Sequence, residues 1–221
     1  MNINVTFLHI PKTGCTCIKY ALEKHDNVTI RVHPKRAHKT HIRSLGANIA
    51  IITRDPWQRF CSGFWERRTM PERREISKTM DVKSYGYMEW RPNEQQIFQQ
   101  CKTPEEFFVW AHRNDKLYNQ ADILSEITGS ITKWLGSADT FHANEHKLSI
   151  AFDIKNLTPI MKTQFGIDLP EDPFLKRSRE LFNIEQSYDI SPKNLELFQE
   201  WRSEDYKILE HIRKQHYYIT Q

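Results

Sequence analysis

The first 24 residues run from an apolar segment through a turn into an amphipathic segment, an order that strongly restricts the fold. Residues 3–10 (INVTFLHI) are rich in β-branched and aromatic side chains and stop at Pro11, which is typical of a buried strand. In residues 16–24 the apolar side chains recur at helical spacing. We therefore predict a strand, a tight turn and a helix, the order found at phosphate sites of α/β proteins.

The turn between these two segments carries residues that suit an anion. Backbone N–H groups at a helix N-terminus carry partial positive charge, and Lys12 adds a full charge. Gly14 lets the backbone approach a ligand closely, and the hydroxyls of Thr13 and Thr16 can donate to the same oxygens. The lysine precedes the glycine, so the usual phosphate-loop spacing of ATP and GTP hydrolases is absent. On this pattern alone, an ordinary turn with a surface lysine is the alternative.

A second strand-turn-helix unit follows. Residues 47–53 (ANIAIIT) predict a strand that ends just before Arg54, and Pro56 suits the first turn of a helix that runs to about residue 68. Because ligands of open parallel sheets bind outside the carboxyl ends of the strands, we expect Lys12 and Arg54 at the same edge.

The rest of the chain is predicted to be mainly helical. One more strand is expected at residues 28–32, and residues 70–93 are polar without a clear period, which predicts a long loop with short helical pieces. Helices are predicted at residues 104–114, 117–128, 155–165 and 192–215. No repeat or composition shift marks a boundary, so we predict a single α/β domain over residues 1–221.

Charge is distributed unevenly along the chain. The net charge is only +4, from 32 basic and 28 acidic residues, so the overall field attracts anions weakly. Residues 31–43 contain five Lys or Arg and three His with no acid, and residues 54–74 contain six Arg against three acids. These clusters predict an anionic ligand, and a solvated basic face is the alternative.

Cysteine usage and the N-terminus bear on the compartment. The four cysteines form no CxxC pair, so neither a disulfide scaffold nor a cysteine zinc site is indicated. The N-terminus does not read as a signal peptide, and no apolar stretch approaches the about 18 residues of a membrane span. We expect a soluble, cytoplasmic protein without a membrane span.

Two segments resemble the motifs of one enzyme family. Residues 9–17 (HIPKTGCTC) resemble the HIPKTGGTS loop of the carbohydrate and heparan-sulfate type sulfotransferases, and residues 54–62 (RDPWQRFCS) resemble their RxPxxRxxS segment. These enzymes use 3′-phosphoadenosine 5′-phosphosulfate (PAPS) as sulfate donor. The resemblance implies a P-loop-like three-layer domain, with a short central parallel sheet flanked by helices.

The resemblance also implies which residues bind the donor. The RxPxxRxxS motif assigns Arg54 and Ser62 to the 3′-phosphate, with Arg59 either a further contact or an exposed or salt-bridged residue. Cys15 and Cys17 stand where the family more often has Gly and Ser or Thr. The loop that would hold the 5′-phosphosulfate comprises Lys12, Thr13, Gly14, Cys15, Thr16 and Cys17.

Sulfuryl transfer to a hydroxyl resembles phosphoryl transfer, so catalysis is mostly positioning and charge neutralisation, and this scheme requires no metal. Lys12 would stabilise the leaving phosphate. The acceptor hydroxyl needs a base. His38, in a segment that resembles a His-x-Thr element of the family, is the first candidate for base or acceptor contact, and His33 is the second. Surface histidines in a basic loop are the alternative.

The acceptor is left open by the sequence. A basic, aromatic-bearing groove would suit an anionic glycan, while small molecules and peptides remain possible acceptors. A kinase-like phosphotransferase is the main alternative function, although its characteristic spacing is missing. A nucleic-acid-binding protein that uses the two basic clusters is a further alternative, and no motif supports it, so we expect no nucleic-acid partner.

Overall fold

Within the residues that the computed structural model describes, four strands form one parallel sheet in the order β1-β2-β3-β4. They are β1 (Thr6–Leu8), β2 (Ile49–Thr53), β3 (Leu148–Asp153) and β4 (Tyr218–Ile219). The first two lie inside the predicted segments 3–10 and 47–53. The sequence pattern does not predict β3, and β4 is too short to produce a pattern. The parallel sheet confirms the α/β fold class.

The description covers part of the chain: residues 5–14, 18, 21, 41–70, 92–114, 129–169 and 186–220. The strand predicted at 28–32, the helix predicted at 117–128 and residues 71–91 of the predicted loop lie outside it. The contacts divide the chain into two compact units. The sheet unit comprises residues 1–56, 130–171 and 201–221, and the aromatic unit comprises residues 57–129 and 172–200. A single domain over residues 1–221 stays a prediction.

The helices agree with most of the predicted segments. In the described residues they are α1 (Pro56–Arg68), α2 (Pro92–Gln100), α3 (Pro104–Arg113), α4 (Thr132–Leu135), α5 (Ala138–His142), α6 (Leu157–Phe165), α7 (Pro192–Trp201) and α8 (Ser203–Arg213). Helices α1, α3 and α6 confirm three predicted helices. The prediction of one helix over 192–215 is wrong, because Arg202 leaves helical geometry with φ −106° and ψ 21°. Neither Gly nor Pro stands at this break, so the helical spacing of apolar residues continues across it in the sequence.

Helices cover both faces of the sheet, because successive strand residues point to opposite sides. On one face Leu8, Ile49 and Ile51 pack with residues of α5 and α8; on the other, Phe7, Ala50 and Ile52 pack with residues of α6. Ile18 and Ala21, which are helical and buried, join this second face. The sheet unit is therefore a three-layer arrangement, with the helix after the first loop packed against the strand that precedes it.

The aromatic unit is built on rings rather than on a sheet. Trp57 and Phe60 stack with ring centroids 5.3 Å apart, and Phe198 meets both rings edge-on. Beside this cluster the guanidinium of Arg67 pairs with the carboxylate of Glu94 through Nε at 2.9 Å and Nη2 at 2.5 Å. Because the Glu94 side chain is fully buried, this ion pair is part of the core of the aromatic unit.

Candidate active site

The loop after β1 is closed by its own hydrogen bond. The Oγ1 hydroxyl of Thr13 donates to the carbonyl of Ile10 at 2.7 Å, and Thr13 is buried. Its hydroxyl hydrogen is thereby used inside the loop. Lys12 has a φ of 70°, in the left-handed region that costs a residue with a side chain about 1–3 kcal/mol. Such strain is concentrated at functional sites.

Gly14 occupies a position that a larger residue would not fit. Its φ is 85°, and a Cβ placed there would lie 2.8 Å from Cδ2 of Leu157, at the start of α6. The glycine thus serves two needs, a left-handed backbone and a close approach to α6. The carbonyl of Gly14 then accepts from the N–H of Ile18 at 3.4 Å, so helical hydrogen bonding begins at the end of this loop.

Arg54 joins the second strand to this loop. It directly follows β2, and its Nη1 donates to the carbonyl of Lys12 at 3.0 Å. The Nε of Arg54 is buried and has no hydrogen-bond partner among the described residues. The expectation that Lys12 and Arg54 meet at the carboxyl edge of the sheet is confirmed.

Asp153 lies at the same edge and was missed by sequence reasoning. It ends β3 and is aligned with Thr53, the last residue of β2. One carboxylate oxygen accepts from the N–H of Lys155 at 3.0 Å, and the other lies 3.8 Å from Nη2 of Arg213. The apolar run LSIAF followed by an acid is the signal that could have identified this strand end. Both oxygens are engaged in local contacts, which gives Asp153 a structural role at the edge.

The structure describes only some of the remaining predicted site residues. Ser62 lies half-buried on α1, six residues after Pro56, a separation of about 9 Å along a helix. Arg59, on the same helix, is buried and donates from Nη2 to the carbonyl of Gly129, and a further contact of Arg59 with the 3′-phosphate stays a prediction. The other predicted residues, Cys15, Thr16, Cys17, His33 and His38, lie outside the described residues, and their roles stay predictions.

Comparison with known proteins identifies the family. The sequence model of the sulfotransferase family matches residues 2–214, which is nearly the whole chain. Neither the curated proteins nor the solved structures include a match. Of the helices in the described part of the chain, none combines the length and apolar character needed to cross a membrane. Because the match covers nearly the whole chain, the chain belongs to the sulfotransferase family.

Proposed function

We propose that this protein transfers a sulfuryl group from PAPS to an acceptor hydroxyl. Its family makes it a transferase of sulfuryl groups, and the choice of donor rests on the two motifs that resemble the donor-binding segments of carbohydrate sulfotransferases. The single observation that carries the proposal is the 3.0 Å hydrogen bond from Arg54 Nη1 to the carbonyl of Lys12, since it joins the two motifs.

Lys12 acts on the leaving group in this proposal. Its backbone follows the carboxyl end of β1, where the loop N–H groups and the ammonium can meet the 5′-phosphosulfate. As the bond from sulfur to the bridging oxygen breaks, negative charge develops on that oxygen and on the phosphate. A well-aimed cation there contributes about 3–4 kcal/mol to transition-state stabilisation.

Arg54 binds the other end of the donor. The hydrogen bond to the carbonyl of Lys12 fixes the guanidinium, and its buried Nε has no acceptor among the described residues. A phosphate oxygen would supply that acceptor and neutralise the charge, which is the pairing that guanidinium groups favour. By the resemblance, Ser62 would add a hydroxyl contact to this 3′-phosphate.

The acceptor side of the reaction rests on sequence alone. The basic residues of 31–43 favour an anionic acceptor such as a glycan, and His38 is placed among them as the base that removes the hydroxyl proton. A small-molecule acceptor would use the same chemistry. A cytoplasmic location likewise stays a prediction.

The donor assignment is tested by calorimetric titration with 3′-phosphoadenosine 5′-phosphate, ATP and AMP. We expect the wild-type protein to bind the 3′-phosphate nucleotide best and Arg54→Ala to lose most of that preference. Arg113→Ala, which removes an exposed arginine from α3, is the matched control and should bind like the wild type. Equal binding of AMP and the 3′-phosphate nucleotide by the wild type would contradict the assignment.

A further inference from the structure

Two histidines and a glutamate of the sheet unit converge away from the proposed donor site. His142 ends α5, Glu145 begins the 3₁₀ turn Glu145–Lys147, and His211 lies in the last turn of α8. Their ligand atoms all lie within 4.8 Å of one another. Nε2 of His211 is 2.5 Å from Oε2 of Glu145, and Nδ1 of His142 is 3.9 Å from the same oxygen.

This donor set matches the preferences of zinc. Imidazole nitrogens and a carboxylate oxygen are common Zn²⁺ ligands, and three protein ligands leave the fourth tetrahedral position to water. With bonds of about 2.0 Å, tetrahedral ligand atoms lie about 3.3 Å apart. The separations of 2.5 and 3.9 Å from the carboxylate oxygen fall on either side of that value, and the two imidazole nitrogens lie within 4.8 Å of each other, so modest shifts of the side chains would admit an ion. The three side chains are 44%, 31% and 28% exposed, so solvent reaches them and they have room to adjust.

The two imidazoles approach the same carboxylate from different elements of the fold. The rings of His142 and His211 lie 4.2 Å apart between centroids, and each has a nitrogen within 3.9 Å of Oε2 of Glu145. Nε2 of His211 also contacts the side-chain amide of Gln215 at 3.0 Å, a contact that an ion bound to Nε2 would displace. A divalent ion held by the two imidazoles would pair with the charge of the Glu145 carboxylate.

A buried hydroxyl is found next to this cluster. Tyr217 is only 7% exposed, and its hydroxyl has no hydrogen-bond partner among the described residues. Burial, and after it the negative charge of Glu145, raise the pKa of Tyr217, which places the hydroxyl within electrostatic reach of that carboxylate. A water bound at the ion's fourth position would offer the Tyr217 hydroxyl a polar neighbour.

The acid of the cluster lies near the amino end of β3, whereas the donor loop follows the carboxyl end of β1. Tyr217 precedes β4, whose first residue pairs with Ala151 in the second half of β3. Lys12 and Arg54 follow the carboxyl ends of β1 and β2. A metal ion here would therefore tie α5 and the following turn to α8 and take no part in sulfuryl transfer.

We propose that His142, Glu145 and His211 form a binding site, separate from the donor loop, for a divalent transition-metal ion of the Zn²⁺ type. The spacing of His142 and Glu145 suits neighbouring ligands, but His211 is far away in sequence, and only the fold brings it to them.

The test is competitive titration of chelator-treated, full-length protein with Zn²⁺ against a fluorescent zinc indicator. We expect one site per chain that depends on all three residues. His142→Gln, at an exposed position, should weaken binding at least about tenfold with the far-UV circular dichroism spectrum unchanged, and His211→Gln should do the same. His146→Gln, on the same turn but outside the cluster, is the matched control and should bind like the wild type.

Thermal unfolding supplies the second readout. Zn²⁺ should raise the Tm of the wild type and of His146→Gln, because the ion binds the folded state. It should not raise the Tm of His142→Gln. Equal Zn²⁺ affinity of the wild type and His142→Gln, or the absence of a stoichiometric site in the wild type, would overturn the proposal. Neither measurement depends on sulfotransferase activity, so the outcome is independent of the proposed function.

Discussion

The guanidinium of Arg54 donates to the main-chain carbonyl of Lys12 at 3.0 Å, which ties the end of β2 to the loop after β1. The contact fixes the guanidinium of Arg54 beside the loop that carries Lys12, so two basic residues share one edge of the sheet. Such an edge favours an anionic ligand.

Removing the ammonium of Lys12 tests its role on the leaving group. We expect Lys12→Ala to reduce kcat about 10²–10³-fold, because charge on the departing phosphate would lose its nearest cation. The measurement is transfer of radiolabelled sulfate from PAPS to an acceptor found by screening. Lys162→Ala, at an exposed ion pair with Asp168 on the sheet unit, is the control and should keep its turnover. Wild-type turnover by Lys12→Ala would remove the lysine from the mechanism.

Substitution of three glycines by alanine distinguishes the cost of backbone strain from the cost of side-chain crowding. Gly14 has φ 85° and a close neighbour, Gly166 has φ 64° with nothing within 4 Å, and Gly46 has open space. We expect Gly14→Ala to lose about 2–3 kcal/mol of unfolding free energy, since left-handed strain adds to the contact with Leu157. Gly166→Ala should lose about 1–2 kcal/mol from strain alone, and Gly46→Ala should stay within about 1 kcal/mol of the wild type.

Urea unfolding measures this series. The order expected for the loss of stability is Gly14→Ala, then Gly166→Ala, then Gly46→Ala. If Gly14→Ala is no less stable than Gly166→Ala, the close approach to Leu157 does not constrain the loop.

The elements at the carboxyl edge could be predicted because their signals are local. An apolar segment that stops at a proline or an arginine marks a strand end by itself, and this sufficed for β1, β2, α1 and the meeting of Lys12 with Arg54. Strand β4 has two residues and owes its place to pairing with β3, which no periodicity in its own sequence can reveal. Strand β3 has an apolar run, but polar residues and a 3₁₀ turn come directly before it, so the sequence does not mark where the strand begins.

Contacts between distant residues limited the prediction of the site. Asp153 and the cluster around His211 depend on strand order and helix packing, which are set by the whole core rather than by spacing. The bond from Thr13 to Ile10 is local, but a threonine in a turn can bond either inwards or to a ligand, and the sequence does not distinguish these outcomes.

The buried ion pair of the aromatic unit should be essential to its stability. Both carboxylate oxygens of Glu94 accept from Arg67, and the glutamate side chain is inaccessible. We expect Glu94→Gln to lose about 3 kcal/mol, because the part-buried Arg67 guanidinium would lose the charge of the fully buried carboxylate with which it pairs. The double variant Arg67→Met/Glu94→Leu should recover much of that loss. Glu210→Gln, at an exposed pair with Lys214, is the control and should unfold like the wild type. An equal loss in the single and double variants would show that the charges do not compensate each other.

His41 should make the sheet unit less stable in mild acid. Its Nδ1 accepts from the N–H of Arg43 at 3.3 Å and caps a 3₁₀ turn. Burial, with the nearby charge of Arg43 as the smaller cause, lowers the pKa of His41 from its ordinary value of 6.5. The unfolded chain therefore binds the proton more readily, so unfolding free energy falls as pH drops through about 6.5, and above it both states are neutral.

Asparagine can accept the same capping hydrogen bond without titrating, so His41→Asn isolates this effect. We expect the variant to match the wild type in urea unfolding at pH 8 and to lose less stability than the wild type between pH 7 and pH 5. His112→Asn, at an exposed histidine of α3, should keep the steeper wild-type dependence. Identical slopes for the wild type and His41→Asn would mean that protonation of His41 leaves the cap intact, in which case the acid sensitivity of the fold arises elsewhere.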